Sequence, residues 1–564
     1  MQYRAGIILS LFISHSVYAE VIPDGKTATT VQTLPNQKEV ITIAPANNAG
    51  ISHNQYQKFN VGTAGAELNN TKAGAKTIIN EVTSLSKSYL NGAISVSGDA
   101  AHVIIANPNG IQVDGGEFIN TKGTVLTTGQ IKLLPGSAPN TQTLQLITHQ
   151  GEIDIQGKGL VGTFEELDLI AKKIRINGQI QETSLSPRSA INLVAGDSVS
   201  TVAASALTAG PGSGWFSTQA GAAANGETAM IDISPLGNLR AGSLTLIVTE
   251  KGAGVSHQGT MLATSGDFVI SSEGKVSVKN GLLSSAGNLV VMAKDDISNL
   301  GGKWIAGKNG TIHSDRNFNH SWQGNVHDAE VHTFSVKEGR SWGHRVTKKG
   351  VTVDYGMTEG NAPDIIAYGA LHIEAKNIAN DGGTFGTLSG DLTLKSETLK
   401  LNSFNSGNVQ YTRKCGWFCS DSSSDNLSVH TANVFSGGKI IIESAQGGEF
   451  TSANIRGDQG VFMKIPSPIL KDLVSISPLK YESMFFSSNN AHYSSLKSLS
   501  YGGVIHSNSG KIEIISEVPV ANQGWHISGE QGEYFSSGQI DIAPQTLDLP
   551  SFSSHLGFGQ SLLF

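Results

Sequence analysis

The sequence predicts an all-β protein built as a right-handed parallel β-helix, from which hairpins or loops project. Three observations favour this fold: 66 glycines among 564 residues, a charged fraction of only 15%, and short apolar alternations that recur at intervals of 21 to 24 residues. Ordinary globular proteins carry about 25% charged residues. Few charges and many turn residues are typical of strands rather than helices.

Each repeated unit begins at a glycine and continues as an apolar alternation. The opening glycines are Gly242, Gly266, Gly287, Gly310, Gly369 and Gly390. Such a short unit leaves no room for a crossover helix, so each strand must stack on its equivalent one coil later. A stack of independent β-sandwiches is the alternative, and it is disfavoured because the units repeat without interdomain linkers.

Alternation within each strand assigns its side chains to one of two faces. We expect Leu244, Leu246, Phe268 and Ile270 to point into the coil, whereas Thr245 faces outward. The right-handed crossover rule for parallel strands sets the expected hand of the coil.

The N-terminus has the three parts of a secretory signal peptide. Residues 1–19 contain Arg4, an apolar run from Ala5 to Ile13, and small residues before the predicted cleavage site after Ala19. A mature chain is therefore expected to start at Glu20. Beyond this segment no apolar run has the length of a membrane-spanning helix, so no membrane span is expected.

The charge balance excludes several classes of partner. Lys and Arg number 39 against 46 Asp and Glu, a formal net charge of -7. The sequence thus offers no basic footprint for nucleic acid and no polybasic segment for anionic lipid. Nucleic-acid binding is not expected.

The repeat lapses in residues 313–367, where we predict a loop-rich insertion extruded from the rod. Five histidines fall here: His313, His320, His327, His332 and His344. None shows the tight spacing of metal ligands, so solvated loop histidines and no metal site are predicted.

Residues 50–129 carry an ordered series of short motifs. The series runs Gly50-Ile51-Ser52-His53-Asn54, Phe59-Asn60-Val61, Leu68-Asn69-Asn70, Ile79-Asn80-Glu81-Val82-Thr83-Ser84, Leu90-Asn91-Gly92, Ala106-Asn107-Pro108-Asn109-Gly110-Ile111, Phe118-Ile119-Asn120-Thr121 and Thr127-Thr128-Gly129. This series resembles the secretion-domain signature of two-partner secretion exoproteins: filamentous haemagglutinins, haemolysins and contact-dependent inhibition proteins. Single tetrapeptides are weak evidence, but the ordered set is specific, and the likeness extends to about residue 200.

The resemblance implies a layout, a route and a partner. It implies a pectin-lyase-like solenoid with a secretion domain over residues 20–260, its core signature over about 35–160, and haemagglutinin-like repeats over 261–564. It implies export to the cell exterior by a dedicated outer-membrane transporter, with release or retention at the outer-membrane surface left open. Transporter recognition is expected at Asn69, Asn70, Asn107, Pro108, Asn109 and Gly110.

The four residues Asn107 to Gly110 also predict a tight turn on chemical grounds. Pro108 presets φ at the first central position, Asn109 tolerates the second, and Gly110 frees the exit. The flanking strands are therefore expected in successive parts of one coil.

No catalytic or cofactor motif accompanies this framework. Adjacent carboxylates such as Glu165 and Glu166 point to opposite faces of a strand, so they form no facing pair for polysaccharide cleavage. We expect a non-enzymatic adhesin or haemagglutinin-like protein without a cofactor, whose receptor is a host-cell or neighbouring-cell molecule. Alternatives are a haemolysin or haem-acquisition exoprotein, a truncated contact-dependent inhibition protein lacking its toxin, and, remotely, a polysaccharide-active enzyme.

Two smaller features complete the prediction. Cys415 and Cys419 are the chain's two cysteines, and we expect a disulfide between them, since a loop this small can pass through the transporter or form afterwards. The tripeptide Arg456, Gly457 and Asp458 matches the one that integrin ligands use, and a plain polar turn is its simpler interpretation.

Overall fold

The structure is a computed structural model. It describes residues 20–184, 186–203, 207, 216–221, 229–341, 343–416, 419–478, 493–494, 496–520, 524–529, 552–555 and 562–563. The predicted signal peptide, residues 1–19, lies outside the described residues.

The described part of the chain is built of short β-strands. In chain order they are β1 (Glu20–Pro23), β2 (Thr30–Thr33), β3 (Glu39–Thr42), β4 (Ile51–Asn60), β5 (Ala66–Asn69), β6 (Thr77–Val82), β7 (Ser88–Leu90), β8 (Ala93–Ser97), β9 (Ala101–Ala106), β10 (Ile111–Val113), β11 (Gly116–Ile119), β12 (Thr121–Thr127), β13 (Gln130–Pro135), β14 (Gln142–Thr148), β15 (Glu152–Ile155), β16 (Leu160–Gly162), β17 (Glu166–Ala171), β18 (Lys173–Ile176), β19 (Gln179–Glu182), β20 (Ala190–Ala195), β21 (Ser198–Val202), β22 (Phe216–Ala220), β23 (Ala229–Ile233), β24 (Asn238–Ala241), β25 (Ser243–Val248), β26 (Gly254–His257), β27 (Thr260–Ala263), β28 (Phe268–Ser272), β29 (Val276–Lys279) and β30 (Leu282–Ser285). The rest are β31 (Leu289–Ala293), β32 (Ile297–Leu300), β33 (Lys303–Ala306), β34 (Gly310–Ser321), β35 (Gln323–Ser341), β36 (His344–Glu359), β37 (Asp364–Ala367), β38 (Leu371–Asp381), β39 (Thr384–Thr387), β40 (Leu392–Asn402), β41 (Phe404–Ser406), β42 (Asn408–Cys415), β43 (Cys419–Asp425), β44 (Ser428–His430), β45 (Asn433–Ser436), β46 (Ile440–Thr451), β47 (Asn454–Gly457), β48 (Val461–Lys464), β49 (Pro468–Lys471), β50 (Leu473–Pro478), β51 (Tyr493–Ser494), β52 (Leu496–Tyr501), β53 (Val504–Ser507), β54 (Ile512–Ile515), β55 (His526–Ser528), β56 (Phe552–His555) and β57 (Leu562–Leu563).

Successive coils stack in parallel on three faces. Strands β28, β29 and β30 form one coil, and each pairs in parallel with its equivalent in the next coil, β31, β32 and β33. Phe268 pairs with Leu289 and Val276 with Ile297, so both faces advance by the same 21 residues. The predicted fold class, an all-β parallel helix, is confirmed.

The interior of the coil is a single apolar core. Leu244, Leu246, Phe268 and Ile270 are at most 1% exposed, as their alternation predicts, whereas Thr245 is half-buried. One continuous cluster of buried side chains runs along the axis from the first described coil to Trp525. Burial of apolar area at about 25 cal/mol per Å² is the main force that holds one coil to the next.

The N-terminal end of the rod is closed by an antiparallel cap. Strand β1 pairs antiparallel with β4, and β2 with β3, in contrast to the parallel ladders of the coils that follow. Val21 and Ile41 of the cap are at most 4% exposed and cover the first coil. Because an open coil end exposes unpaired backbone groups and apolar side chains, the cap protects the rod from edge-to-edge association.

Among the described residues, two four-stranded antiparallel sheets project from the rod. The first consists of β13, β14, β21 and β22, and the second of β35, β36, β42 and β43. Strands β35 and β36 of the second sheet lie within residues 313–367, where the extrusion was predicted, whereas β42 and β43 lie outside that range.

The structure corrects the assignment of two histidines near this extrusion. His313 and His320 lie on β34, which continues the parallel stack between β31, β32 and β38. His320 is fully buried, so the prediction of a solvated loop residue is wrong for it. The extruded segment begins after Ser321 and ends before Asp364, because β34 retains the coil register beyond the point where the sequence repeat fades.

Candidate secretion interface

The predicted turn at Asn107 to Gly110 connects β9 to β10 at one corner of a coil. The Gly110 N–H donates to the Asn107 carbonyl oxygen at 3.0 Å and closes the turn. Gly110 has φ of 111°, and a Cβ there would lie 3.0 Å from the Glu152 carbonyl oxygen of the next coil. Glycine is therefore required both by the backbone conformation and by the close approach of the neighbouring coil.

Asn107 is the centre of this corner and is fully buried. Its Nδ2 donates to the Ser86 carbonyl oxygen and to Ser88 Oγ, both at 2.9 Å, and its Oδ1 accepts from the Asn109 N–H at 3.0 Å. Asn109 Nδ2 in turn donates to the Ser84 carbonyl oxygen at 2.8 Å. The two amides thus fasten the turn to the preceding coil, while Pro108 and Asn109 remain half-buried at the surface.

Asn69 and Asn70 fasten a second corner at the end of β5. Asn70 is 1% exposed; its Oδ1 accepts from the Ala75 N–H at 2.7 Å, and its Nδ2 donates to the carbonyl oxygens of Ala75 and Asp99. Asn69 Oδ1 accepts from the Thr71 N–H at 3.2 Å. All six residues predicted for transporter recognition therefore lie at coil corners, and the two most buried ones use their amides to hold adjacent coils together.

A buried polar network beneath the cap was not predicted from the sequence. Asn54 Oδ1 accepts from Thr29 Oγ1 at 2.7 Å and from the Ala44 N–H at 2.8 Å, and Tyr56 Oη donates to Asn80 Oδ1 at 3.0 Å. Asn54, Tyr56 and Asn80 are fully buried. The sequence motifs of residues 50–129 did contain a signal for this network, because asparagine recurs in them at positions that alternation places inside the coil.

The outer face of the first coils carries a second apolar core. Ile79, Ile104 and Ile170 lie on the rod and pack against Leu144 and Leu146 of the first projecting sheet. Strand β9 is buried at all six positions, so both of its faces are covered. The projecting sheet is thus part of the packed structure of this region and not a free appendage.

Polar groups on the same outer face pair with one another. The His53 Nε2 and Gln55 Nε2 atoms lie 2.9 and 3.1 Å from Glu81 Oε2. Although burial raises the pKa of Glu81, the hydrogen bonds from His53 and Gln55 lower it below its usual range. Glu81 is therefore charged at neutral pH.

A pair of facing carboxylates was also missed by the sequence analysis. Glu166 and Asp168 lie two residues apart on β17, and each accepts a 2.8 Å hydrogen bond from Asn192 Nδ2. They are 4% and 0% exposed, so no substrate in solution reaches them. Their geometry fits a structural bridge between coils rather than acid–base catalysis.

Comparison with known proteins places this region in a family. The family model described as the TPS secretion domain matches residues 19–278. Residues 19–278 of the chain therefore match a two-partner secretion domain. The implied partner of such a domain is an outer-membrane transporter, and proteins that carry it are exported.

Relatives of the secretion domain include large bacterial toxins. The chain is 35% identical over 319 residues to the tRNA nuclease CdiA of Yersinia mollaretii, an alignment that covers 53% of this chain and 10% of the relative. Identity to the 16S rRNA endonuclease CdiA of Enterobacter cloacae is also 35%, over 53% of this chain and 9% of that protein. The chain therefore spans about a tenth of the length of these relatives, and the match does not include their nuclease region.

Among solved structures, the filamentous hemagglutinin secretion domain aligns with 53% of this chain and 98% of its own length. The sequence identity is 28% and the TM-score is 0.41.

The remaining predicted features lie in the C-terminal half of the rod. Arg456 and Gly457 end β47, and Asp458 follows; Arg456 and Asp458 are exposed, whereas Gly457 is buried. Arg456 Nε donates to Asn454 Oδ1 at 2.8 Å, so this side chain lies along the strand surface. A role in cell adhesion remains a prediction.

Cys415 and Cys419 lie directly opposite each other where β42 and β43 pair at the tip of the second projecting sheet. Opposed residues of an antiparallel pair have the Cα separation that a disulfide needs. The disulfide remains a prediction.

Within the described ranges, no group of three or more His, Cys, Asp and Glu side chains is arranged to hold a metal ion. In the same residues, no helix has the length and apolarity needed to cross a lipid bilayer.

Proposed function

We propose that this chain is a surface adhesin whose rod is delivered by a dedicated outer-membrane transporter. Export of the chain as a two-partner secretion exoprotein follows from its secretion domain. The observation that supports the adhesin is the continuous core: the same stack of coils runs without interruption from the cap through the secretion domain into the distal repeats. A rod of this kind holds its distal end away from the membrane, as an adhesin requires.

Folding of the rod supplies directionality to export in this proposal. The cap and first coils leave the pore first, and each later coil buries its apolar face against the one already formed. A folded coil cannot re-enter the pore, so each addition makes backward sliding unfavourable. No nucleotide hydrolysis by the chain is required.

The burial of Asn70 and Asn107 bears on how the transporter recognises the domain. Their amides are at most 1% exposed and are committed to bonds between coils. A transporter therefore contacts these two side chains before the corners fold, whereas Pro108 and Asn109 remain partly accessible afterwards. We infer that recognition precedes folding of the first coils.

Export of an Asn107→Ala variant tests this inference. The Asn107 amide loses four hydrogen bonds, and the ratio of secreted to periplasmic protein is expected to fall at least about fivefold, which is the effect of losing a single bond worth roughly 1 kcal/mol. Asn48→Ala is the matched control, because Asn48 is exposed in the turn that precedes β4 of the same domain. Unchanged export of Asn107→Ala would contradict the proposal.

Refolding of the purified Asn107→Ala protein separates recognition from folding. If circular dichroism shows that the variant refolds at the wild-type rate while export falls, the amide is read by the transporter. If refolding slows in parallel with export, the amide acts only through the fold.

The adhesin role has a direct test in cells. Deletion of the chain is expected to lower binding of the bacterium to host or neighbouring cells, and purified rod is expected to compete with that binding. An Asp458→Glu variant shows whether the Arg456 to Asp458 tripeptide contributes. Wild-type binding after deletion, with erythrocyte lysis or haem binding lost instead, would favour the haemolysin or haem-acquisition alternative.

The relatives named as nucleases favour a second candidate, a contact-dependent inhibition protein. Their similarity to this chain does not include the nuclease region, so no nuclease activity is proposed for it. A growth-competition assay between producing and non-producing cells identifies an inhibition protein that retains a toxin, because an adhesin and a truncated inhibition protein without its toxin both leave their neighbours growing.

A further inference from the structure

A large cleft lies between the C-terminal half of the rod and the base of the second projecting sheet. Its volume is about 1130 Å³. The floor comes from the coil strands β38, β40, β46 and β49, and the walls come from the start of β35, the end of β36, β41 and β50. Concave sites of this size bury small organic ligands or several units of a polymer.

The floor presents one polar side chain per coil in a straight column. Asp381, Asn402, Thr451 and Lys471 pair with one another in successive parallel strands. Neighbouring strands lie about 4.8 Å apart, so donors and acceptors repeat at that step along the rod axis. Asn402 Nδ2 donates to Asp381 Oδ1 at 3.1 Å, and this contact fixes the orientation of its amide.

One wall carries half-buried aromatic side chains held in place by packing. The ring centroids of Trp322 and Phe404 lie 4.4 and 4.9 Å from that of His430. Trp322 Nε1 donates to the Gly382 carbonyl oxygen at 2.9 Å, and His430 Nε2 lies 2.7 Å from Ser406 Oγ. The aromatic wall is therefore ordered before any ligand arrives, which lowers the entropic cost of binding.

The charge of the lining excludes polyanions. Four carboxylates and two lysines line the cleft: Asp328, Asp381, Glu449, Asp472, Lys400 and Lys471. The formal balance is two minus four, or -2, and Lys471 is already paired with Glu449 at 3.0 Å. A sulfated or uronic chain would be repelled here.

We propose that this cleft binds a neutral oligosaccharide. Sugar hydroxyls both donate and accept, and so they match a column of alternating carboxylate, amide, hydroxyl and ammonium groups. The apolar face of a sugar ring packs on an aromatic side chain such as Trp322 or Phe404. A polymer whose repeat length is close to the spacing between neighbouring coils meets a polar group at each coil, whereas a compact ligand does not.

This inference deepens the adhesin proposal by naming the chemical class of its receptor. The cleft differs from the Arg456 to Asp458 tripeptide, which lies at the end of β47 on another face of the coil and is not part of the cleft lining.

A glycan array probed with the purified mature chain tests the inference. The array carries neutral oligosaccharides beside sulfated ones, and retention of neutral glycans alone is expected. Asn402→Ala and Phe404→Ala remove a floor hydrogen-bonding group and a wall ring, and each is expected to weaken retention about tenfold. Circular dichroism of each variant verifies that the rod is folded.

Two matched controls lie outside the cleft. Asn454→Ala removes an asparagine from a similar ladder on another face, where its Nδ2 donates to Asn433 Oδ1 at 3.1 Å. Tyr368→Ala removes an aromatic side chain that is 55% exposed elsewhere on the rod. Both are expected to bind as the wild type does, within about twofold.

Three outcomes would overturn the inference: no neutral glycan retained by the wild type, retention of sulfated glycans only, or equal weakening by the control substitutions. The adhesin proposal fails separately. If the array result holds but deletion of the chain leaves cell binding unchanged, the cleft binds sugar and the rod is not the adhesin.

Discussion

Acidification should open the coils around His320 long before it reaches the pKa of this residue in the folded protein. The His320 side chain is fully buried and packs on Phe385 and Phe318, whose ring centroids lie 4.7 and 6.1 Å from the centroid of the imidazole. Asn299 Nδ2 donates to its Nδ1 at 3.1 Å, which requires the neutral imidazole. Burial lowers the pKa of His320 from 6.5 to about 3.

The sign and size of the effect follow from this difference in pKa. Below pH 6.5 the unfolded coil binds a proton at His320, whereas the folded coil does not until about pH 3. Stability is therefore complete above pH 6.5 and declines as the pH falls. At pH 5, about 1.5 units below the pKa of the unfolded state, the free energy of opening is lower by about 2 kcal/mol. The equilibrium constant for opening is therefore roughly 30-fold larger.

Hydrogen exchange followed by mass spectrometry measures this opening locally, because each coil reports separately. Peptides from β32 to β34 should lose about 30-fold in protection between pH 7.5 and 5.0, after correction for intrinsic exchange. His320→Gln keeps an acceptor for Asn299 and cannot be protonated, so it should lose this sensitivity. His332→Gln is the control, since that side chain is 64% exposed on the projecting hairpin. An equal loss of protection in His320→Gln and wild type would refute the reasoning.

Two further predictions concern the close packing of coils and the tip of the second sheet. Gly274→Ala would place a Cβ 1.3 Å from the Ala253 carbonyl oxygen, so limited proteolysis should cut the variant rapidly at this coil. Gly157→Ala is the control: a Cβ there has open space around it, so this variant should resist proteolysis as the wild type does. Equal resistance of the two variants would show that the coils separate more easily than the structure implies. Mass spectrometry of unreduced peptides from secreted protein should find Cys415 joined to Cys419, and two free thiols there would exclude the disulfide.

The coil interior was predictable because a repeated alternation carries the same information many times. Leu244 and Phe268 occupy equivalent positions in neighbouring coils and pair directly, so an error of one residue would expose both. A single strand of five residues would not have distinguished inside from outside. Repetition therefore compensates for the shortness of each strand.

Features that occur once could not be predicted in this way. Strand β9 is apolar on both faces, and nothing in its own sequence states that β14 covers the outer one. His320 follows two residues after Phe318 and shares its inward face, yet a histidine in a polar stretch favours solvent exposure on composition alone. The contacts with Asn299 and Phe385 that reversed this expectation come from neighbouring coils, which a local reading of the sequence does not include.

The same distinction applies to the candidate interface. The turn chemistry of Asn107 to Gly110 was predicted, and the φ of Gly110 and the bond that closes the turn agree with it. The bonds from Asn107 to Ser86 and Ser88 were not, because they join residues about 20 positions apart. Spacing along the chain predicts a turn, whereas its attachment to a neighbouring coil depends on the coil period.

The cap explains why assembly of the rod should proceed in one direction only. Its antiparallel pairings leave the N-terminal end closed, so the growing structure offers an open coil face only at its C-terminal side. A chain that emerges N-terminus first presents the cap before any other coil and then adds each new coil to the one exposed face. Deletion of residues 20–44 would remove the cap, and both ends of the rod would then accept strands. Rods should therefore associate through their open ends, while the coils themselves remain folded.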